Sequence, residues 1–479
     1  MRLKIINNHE GMALPIVLVF GTVALIILGG IVSWAMLNLQ AARQAVKREK
    51  AFEIAESGNE YYRWHLAHAP ADYQDGANSP GPYVHKFYDK TGDLVGSFTL
   101  TITPPLTGST IVTVQSSGKV LSGFTGARTI ITKLAKPSLA KFAVAANDNM
   151  RFGAGTEVFG PINSNKGIHF DGIAHNLVTS ALATYSDPDY SEPNVFGVYT
   201  RVSPRDPYPP AAVPSRPDVF MAGRQFPVPA MDFTGLTADI SQMKTDAIAN
   251  GFYRAGSGAL GYNIILKTND TFDLYQVTAL KAVPGGCPSQ SSTQSGWGTW
   301  SVNTQTLLGN YAFPSNGIIF LEDNIFVQGQ INTARLTIVA ATFPDDPSTR
   351  KSITVNNNLV YTNFDGRDVI SLIAQKNINV GLYSQDNLTI DGALVAENGR
   401  AGRYYYYPGS SYCGSDSTRT SLTLYGMIAS NQRYGFAYTD GTGYQTRDIV
   451  YDANLLYSPP PSFPQTSDQY SIISWQEAR

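Results

Sequence analysis

The sequence predicts a mainly β protein carried on one long N-terminal helix, its β part forming a β-solenoid-like (β-helix) extracytoplasmic domain. Three observations predict it. Met12 to Leu39 contains no charged residue, and about 20 consecutive apolar residues suffice to cross the hydrocarbon core of a bilayer. Beyond Pro70 the helical period gives way to short segments of alternating apolar and polar residues that end at Gly, Asn or Asp. Charged residues make up only 15% of the chain, below the roughly 25% of ordinary soluble domains. With abundant Gly, Pro, Asn, Ser, Thr and Tyr, that balance describes turns and strands with a neutral polar surface, which suits an exported protein.

The helix comes first. Arg2 and Lys4 precede the apolar run and Lys47, Arg48 and Lys50 follow it, so flanking charge alone orients it poorly. A discarded signal peptide has a shorter apolar core and a small-x-small cleavage site; "SWA" at Ser33 to Ala35 offers such a site. The helical pattern nevertheless continues through Leu39, Ala42, Val46, Ala51, Ala55, Gly58, Tyr62 and Leu66, and no proline intervenes before Pro70. One helix from Met12 to His68 is about 85 Å long at 1.5 Å per residue. Its first half is apolar all round, which is rare inside a water-soluble domain. Its second half is amphipathic and needs a partner surface. The basic cluster "ARQAVKREK" (42 to 50) is interrupted by Glu49 and reads as a solvated helix segment.

"SFTLTITPP" (97 to 105), "STIVTVQSSG" (109 to 118) and "RTIITKLAKP" (128 to 137) alternate as strands of a small sheet near the helix. "VFGPINSNKGIHFDG" (158 to 172) has the look of two solenoid turns joined at an Asn-rich corner. The Pro- and Asp-rich segments "TYSDPDYSEPN" (184 to 194) and "SPRDPYPPAAVPSRPD" (203 to 218) exclude central strands and helix interiors. Leu236, Ile240, Met243, Ala247 and Ile248 form one helical face within 233 to 252, stopped at Asn250-Gly251. "GYNIILKTNDTFDLYQV" (261 to 277) reads as a hairpin turning at Asn269-Asp270. "NIFVQG", "LTIVAA", "SITVNNNLVY", "NINVG", "NLTIDGALVA" and "SLTLYG" then repeat a short strand signature between 324 and 426. Short strands and turns without long helices between them fit stacked rungs; an antiparallel sandwich is the competing architecture. Tyr451-Asp452, Leu455-Leu456 and the prolines at 459 to 461 suggest an extended segment closing the solenoid.

The formal net charge of -2 supplies no long-range attraction to nucleic acid, so no nucleic-acid partner is expected. Chemistry is sparsely indicated. His169, Asp171 and His175 in "HFDGIAH" are the tightest metal-ligand grouping, two imidazoles and a carboxylate, although Gly172 turns the chain before His175. Asp187, Asp189 and Glu192 offer oxygens for Ca²⁺ without the calcium-loop spacing. No GxSxG, HExxH or phosphate-binding glycine loop occurs, so neither catalysis nor a cofactor is expected. Cys287 and Cys413 both sit in loop-like surroundings, and an exported setting permits a disulfide between them. Tyr404, Tyr405, Tyr406 and Tyr407 offer a contact surface for sugars or proteins, or pack in part along a strand edge.

Two stretches carry a resemblance. "GMALPIVL" (11 to 18) followed by "AFEIAESG" (51 to 58) resembles the N-terminus of type IV prepilin-like proteins, in particular minor pilins of the PilX type and the related pseudopilins of type II secretion. The resemblance implies cleavage by prepilin peptidase after Gly11, Met12 as the commonly methylated mature terminus, and lateral packing with other pilins or pseudopilins. Pro15 falls in the first turn of the mature helix, where a missing N–H costs least, and Glu56 is a polar position on the amphipathic half. Major pilins carry a glutamate at the fifth mature position; Ile16 stands there, which implies an accessory, initiating or tip subunit, or simply a membrane-anchored relative. "GPINSNKGIHFDG" and "GYQTRDIVYDANLLYSPPPSFP" (443 to 464) are similar to large PilX-like proteins with solenoid-like extracellular domains.

The organisation expected is a cytoplasmic leader (1–11), the helix (12–69), a small β region at the base (70–140), solenoid rungs (141–200), an insertion of Pro-rich loop, helix and hairpin (201–320), and further rungs with a C-terminal cap (321–479). The protein is read as a non-enzymatic, single-pass subunit in the lipid bilayer, its N-terminus cytoplasmic and its bulk outside. The alternative is a membrane-anchored solenoid that binds or cleaves surface polysaccharide, for which glycans or surface proteins are the partners.

Overall fold

The structure, a computed structural model, describes residues 13–121, 126–138, 140–233, 236–287, 294, 296–465 and 469–478. The long helix, α1, runs Ala13–His68 without a break. From Leu14 to Val46 its side chains are exposed, and this stretch is long and apolar enough to cross a membrane. From Ala51 onward one face is buried: Ala51, Ile54, Ala55, Tyr62 and Leu66 are at most 1% exposed. The predicted stripe therefore holds for its C-terminal part, while Leu39 and Val46 stay exposed.

The chain divides into two compact units. The first holds everything up to Pro104, Val112–Ala135 and the residues from Gln469 onward. In it the buried face of α1 lies on an antiparallel sheet of β1 (Tyr83–Tyr88), β2 (Leu94–Thr103), β3 (Val112–Val120), β4 (Arg128–Ala135) and the C-terminal strand Ser471–Glu477, in that order. β2 and β3 alternate buried and less buried positions, as strands with one covered face must. Phe98, Leu100, Val112, Val114, Val120 and Leu134 meet the helix, each fully buried side chain contributing roughly 1.5–3 kcal/mol. The sequence-based division differs here. Ser471–Glu477 pairs with β4 and is no part of the stack of 321–479, and β1, which alternates half-buried and exposed positions through Lys86, was not among the strands read from the sequence.

The second unit comprises Pro105–Ile111, between β2 and β3, and Lys136–Asp468, inserted in sequence between β4 and the last strand. It is built on parallel ladders. One face stacks, strand on strand, Phe252–Arg254, Ile318–Leu321, Arg335–Ala340, Val369–Ala374, Asn387–Ala396, Thr418–Ser430, Val144–Ala146, Ile162–Ser164, Val178–Ser180 and Arg224–Gln225. Two further faces carry parallel ladders of their own, and apolar side chains from all of them fill one continuous core. Inward-pointing apolar residues on successive rungs explain why the segments read as short apolar strands.

The stacking order is not the sequence order. The chain begins its rungs at Val144, in the middle of the stack, and proceeds to Arg224 at one end. The helix α2 (Leu236–Asn250) then leads to Phe252, which pairs at the other end. From there the rungs return to the middle, where Ile428 pairs with Val144. Residues 201–320 are thus not a plain insertion, since Arg224–Gln225, Phe252–Arg254 and Tyr262–Leu266 are all strands of the stack. α2 turns Ile240, Met243 and Ala247 inward while Ile248 is 58% exposed. The hairpin Tyr262–Leu266 with Thr271–Leu280 turns through Asp270, at φ 60°, and continues antiparallel to Val302–Ala312, giving that region of the sheet a different pairing from the parallel rungs. The prolines at 459 to 461 do not close an end of the stack. Arg335, on a central rung, donates to the carbonyls of Ser458 and Pro459 at 2.9 and 2.6 Å and holds that segment along the side.

Candidate functional site

Gly11 and Met12, where the sequence resemblance implies processing, lie outside the described residues. Pro15 and Ile16 are in the first turns of α1 and exposed, Ile16 by 47%. Glu56 is exposed on the amphipathic half, opposite the face that meets the sheet. Contact between helix and sheet is closest at Gly58 and Gly118, where a Cβ on Gly118 would lie 2.1 Å from the Ala51 carbonyl oxygen. The resulting surface is a helix whose first 33 described side-chain positions, from 14 to 46, are uncovered. An apolar all-round helix of that length has to meet lipid or other helices.

In the second unit, one column of the stack brings polar residues together. Arg151 in the strand Met150–Phe152 pairs with His169 in Ile168–Phe170, and His169 pairs with Tyr199 in Val198–Tyr199. His169 is 1% exposed. Its Nδ1 is 3.1 Å from Asp187 Oδ2 and its Nε2 is 2.8 Å from Asp171 Oδ2, so a protonated ring stands between two carboxylates. The Tyr199 hydroxyl also donates to Asp187. Asp189, two residues on, receives Arg433 through both carboxylate oxygens at 2.8 and 2.6 Å and Arg151 at 3.0 Å. Glu192 takes Arg201 at 2.7 Å and Arg205 as well, and the Arg201 guanidinium lies 3.8 Å from the centre of the Tyr190 ring. Rung residues therefore clasp the loop 186–192 through every one of its acidic side chains.

This geometry corrects the two metal sets read from the sequence. His169 and Asp171 come together, but His175 does not join them. Its ring stacks on Phe159 at 4.0 Å and its Nε2 is 3.0 Å from Glu157, because the strand Ile173–Ala174 pairs with Glu157 and Val158 on another face. Asp187, Asp189 and Glu192 diverge toward His169, the arginines 151 and 433, and the arginines 201 and 205. His169, Asp187 and Asp189 do place ligand atoms within 4.8 Å of one another, yet each already has a cationic or hydroxyl partner. The arrangement is a charge clasp.

Burial alone would lower the His169 pKa, but Asp171 and Asp187 outweigh it and hold the value above the ordinary one. Asp187 is likewise raised by burial and, more strongly, lowered by His169 and Tyr199, to about 2. A raised imidazole value stabilises the fold fully below about 6.5 and ceases to do so as pH rises through the folded value. Hydrogen exchange of residues 186–192, measured relative to each amide's intrinsic base-catalysed rate, is therefore expected to stay slow across mildly acidic pH and to quicken at alkaline pH. Asp187→Asn should quicken it throughout and flatten that dependence. Unchanged protection in the variant contradicts the clasp.

Cys287 and Cys413 are joined by a disulfide and buried with Leu382, Tyr404 and Tyr406. At a sequence separation of 126, the link restricts the unfolded chain by about 5 kcal/mol in the chain-entropy account. The four tyrosines, which follow the strand Ala401–Arg403, split by alternation of burial along the chain. Tyr404 and Tyr406 are each 1% exposed, whereas Tyr405 and Tyr407 are half-buried and edge-on to one another at 5.9 Å. A contact surface can thus use only the second pair. The residues that sequence reading missed are Arg151, Tyr199 and Arg433, which carry no motif and meet only through parallel stacking.

No family model matches the chain, and no curated protein matches it. Among solved structures it is similar to the crystal structure of the competence-associated pilin ComZ from Thermus thermophilus, with 12% identity and a TM-score of 0.28 over 90% of this chain and 97% of that one. A superposition that loose assigns no role to any residue here.

Proposed function

We propose that this chain is a pilin-like subunit, of the minor pilin or pseudopilin kind, that anchors in a membrane by α1 and carries its large β unit outside the cell. One observation carries the reading. α1 is uncovered and apolar over its first half, and its second half lies on a five-stranded antiparallel sheet whose last strand is the C-terminus of the chain. The two halves of the helix therefore serve different ends. The C-terminal half belongs to a folded unit, and the N-terminal half is left for lipid and for the helices of other subunits. The disulfide supports an extracytoplasmic position for the second unit, since such bonds persist in oxidising compartments. Ile16 at the fifth position after Gly11 supports an accessory role in the filament.

A photo-crosslinking residue placed at Leu25, which is 70% exposed on α1, tests lateral packing in the native host. The expected product is a covalent adduct with a second protein whose own N-terminal helix is apolar. Adducts with lipid alone contradict assembly through α1.

A further inference from the structure

The arginines of the clasp belong to a longer row. On the face of the stack that carries Ile378–Val380 and Ala401–Arg403, Lys376 and Arg400 each stand just before their strand. Gly402 bridges in parallel to Gly435, which brings Arg433 onto the next rung. Ala145 pairs with Ala429, so the chain through Arg151 follows. Four successive rungs thus present Lys376, Arg400, Arg433 and Arg151, a row of about 15 Å at the 4.8 Å spacing of neighbouring strands.

The row borders a cavity of about 1190 Å³ that includes Arg151, Arg400 and Arg433 in its walls. It adjoins a second, of about 300 Å³, that includes Lys376 and shares Arg400 with the first. Together they form one groove along the stack. Its cations are incompletely neutralised. Arg151 and Arg433 share the single carboxylate of Asp189, and neither Lys376 nor Arg400 makes an ion pair among the described residues. Arg400 turns one nitrogen toward the Arg403 carbonyl and another toward the Tyr438 hydroxyl at 3.5 Å, and lies over the Tyr404 ring at 5.3 Å, while its buried Nε has no hydrogen-bond partner. A groove whose cations, two sharing one carboxylate and two without an ion pair among the described residues, recur at regular intervals concentrates an anion that is itself repetitive.

The other wall groups decide what kind of anion. Asp148, Asp171 and Asp189 line the same cavity, with the side chains of Gln432 and Gln445. Carboxylates accept hydrogen bonds and repel further charge. A phosphodiester backbone is all acceptor and densely charged, so these acids oppose it. A sugar chain with one carboxylate per residue offers both what the cations need and the hydroxyl donors that Asp and Gln accept. We propose that this groove binds an acidic polysaccharide of the uronate class along the axis of the stack. The proposal does not rest on α1 or on assembly, so it stands or falls separately from the pilin-like reading.

The test is calorimetric titration of the whole detergent-solubilised protein with galacturonate hexamer, maltohexaose and a twelve-residue oligothymidylate. Binding of the galacturonate hexamer alone is expected, weakening as salt is raised because exposed charge pairs are screened. Lys376→Glu, a half-buried side chain with no ion pair to lose, should weaken it about tenfold or more with the melting temperature unchanged. Arg400→Gln should do the same. No binding of the galacturonate hexamer, equal binding of maltohexaose, tighter binding of the oligothymidylate, or full binding by a folded Lys376→Glu variant would each overturn the proposal.

Discussion

Replacing Gly118 with valine is expected to separate α1 from its sheet, at a cost of about 3 kcal/mol. Gly118 sits in β3, directly under the helix. A Cβ there would lie 2.1 Å from the Ala51 carbonyl oxygen and 2.4 Å from the Ala55 amide nitrogen. Both are backbone atoms of a regular helix, so no side chain can turn aside to make room, and the helix itself has to move. That movement uncovers Ile54, Tyr62 and Leu66, which are at most 1% exposed. Gly58 faces the sheet in the same way but would meet the side chains of Ser116 and Phe98, which have some freedom to shift, so Gly58→Ala should cost less. Gly153→Ala is the control, with nothing within 4 Å of its added methyl. Limited proteolysis between Lys47 and Arg63, together with thermal unfolding in detergent, reads the difference. A Gly118→Val protein as resistant as the Gly153→Ala protein contradicts the close helix–sheet contact.

A second large effect is expected at Arg403. Its side chain is fully buried among the rungs, yet no carboxylate pairs with it among the described residues. The guanidinium instead donates to the carbonyls of Gly381, Leu382 and Asp416 and to the Ser384 hydroxyl, and its face lies 4.9 Å from the Tyr406 ring centre. One planar, five-donor group thus satisfies acceptors from the segment 381–384 on the neighbouring rung and from the segment after the disulfide. Methionine fills similar space but leaves those acceptors dry, each at about 1–3 kcal/mol, so Arg403→Met should lose about 4 kcal/mol. Lysine restores the charge without the fork and should recover little. Chemical denaturation of the three proteins measures this, and a methionine variant within about 0.5 kcal/mol of the parent contradicts a structural role for the fork.

Features governed by local period were legible in the sequence. The charge-free run from Met12 to Leu39 and the three-to-four spacing of Ala51, Ala55, Gly58, Tyr62 and Leu66 are properties of one helix, and a single sequence carries them. The alternation of Tyr404 to Tyr407 is equally local: period two puts Tyr404 and Tyr406 inside. The rungs were legible as strands for the same reason. Their order was not, because a parallel ladder joins Ile428 to Val144 with no signal in either segment that names its partner. That is also why Ser471–Glu477 was grouped with the rungs and cap of 321–479: nothing local distinguishes a strand that returns to β4. The site suffered most. His169 and Asp171 are near in sequence, but Tyr199, Arg433 and Asp189 reach them only through stacking, and His175 is turned away by a chain reversal that places it beside Glu157. Of the two cysteines, the sequence permitted a link that the fold makes.

The pilin-like reading depends above all on what happens at the start of α1. The most direct measurement is intact-mass and N-terminal peptide mass spectrometry of the full chain after production with a prepilin peptidase, beside a Gly11→Ala chain produced in the same way. The expected result is a mature protein beginning at Met12 and still carrying α1, with the Gly11→Ala chain retaining residues 1–11. A parent chain that keeps residues 1–11, or one that begins just after Ala35, contradicts it.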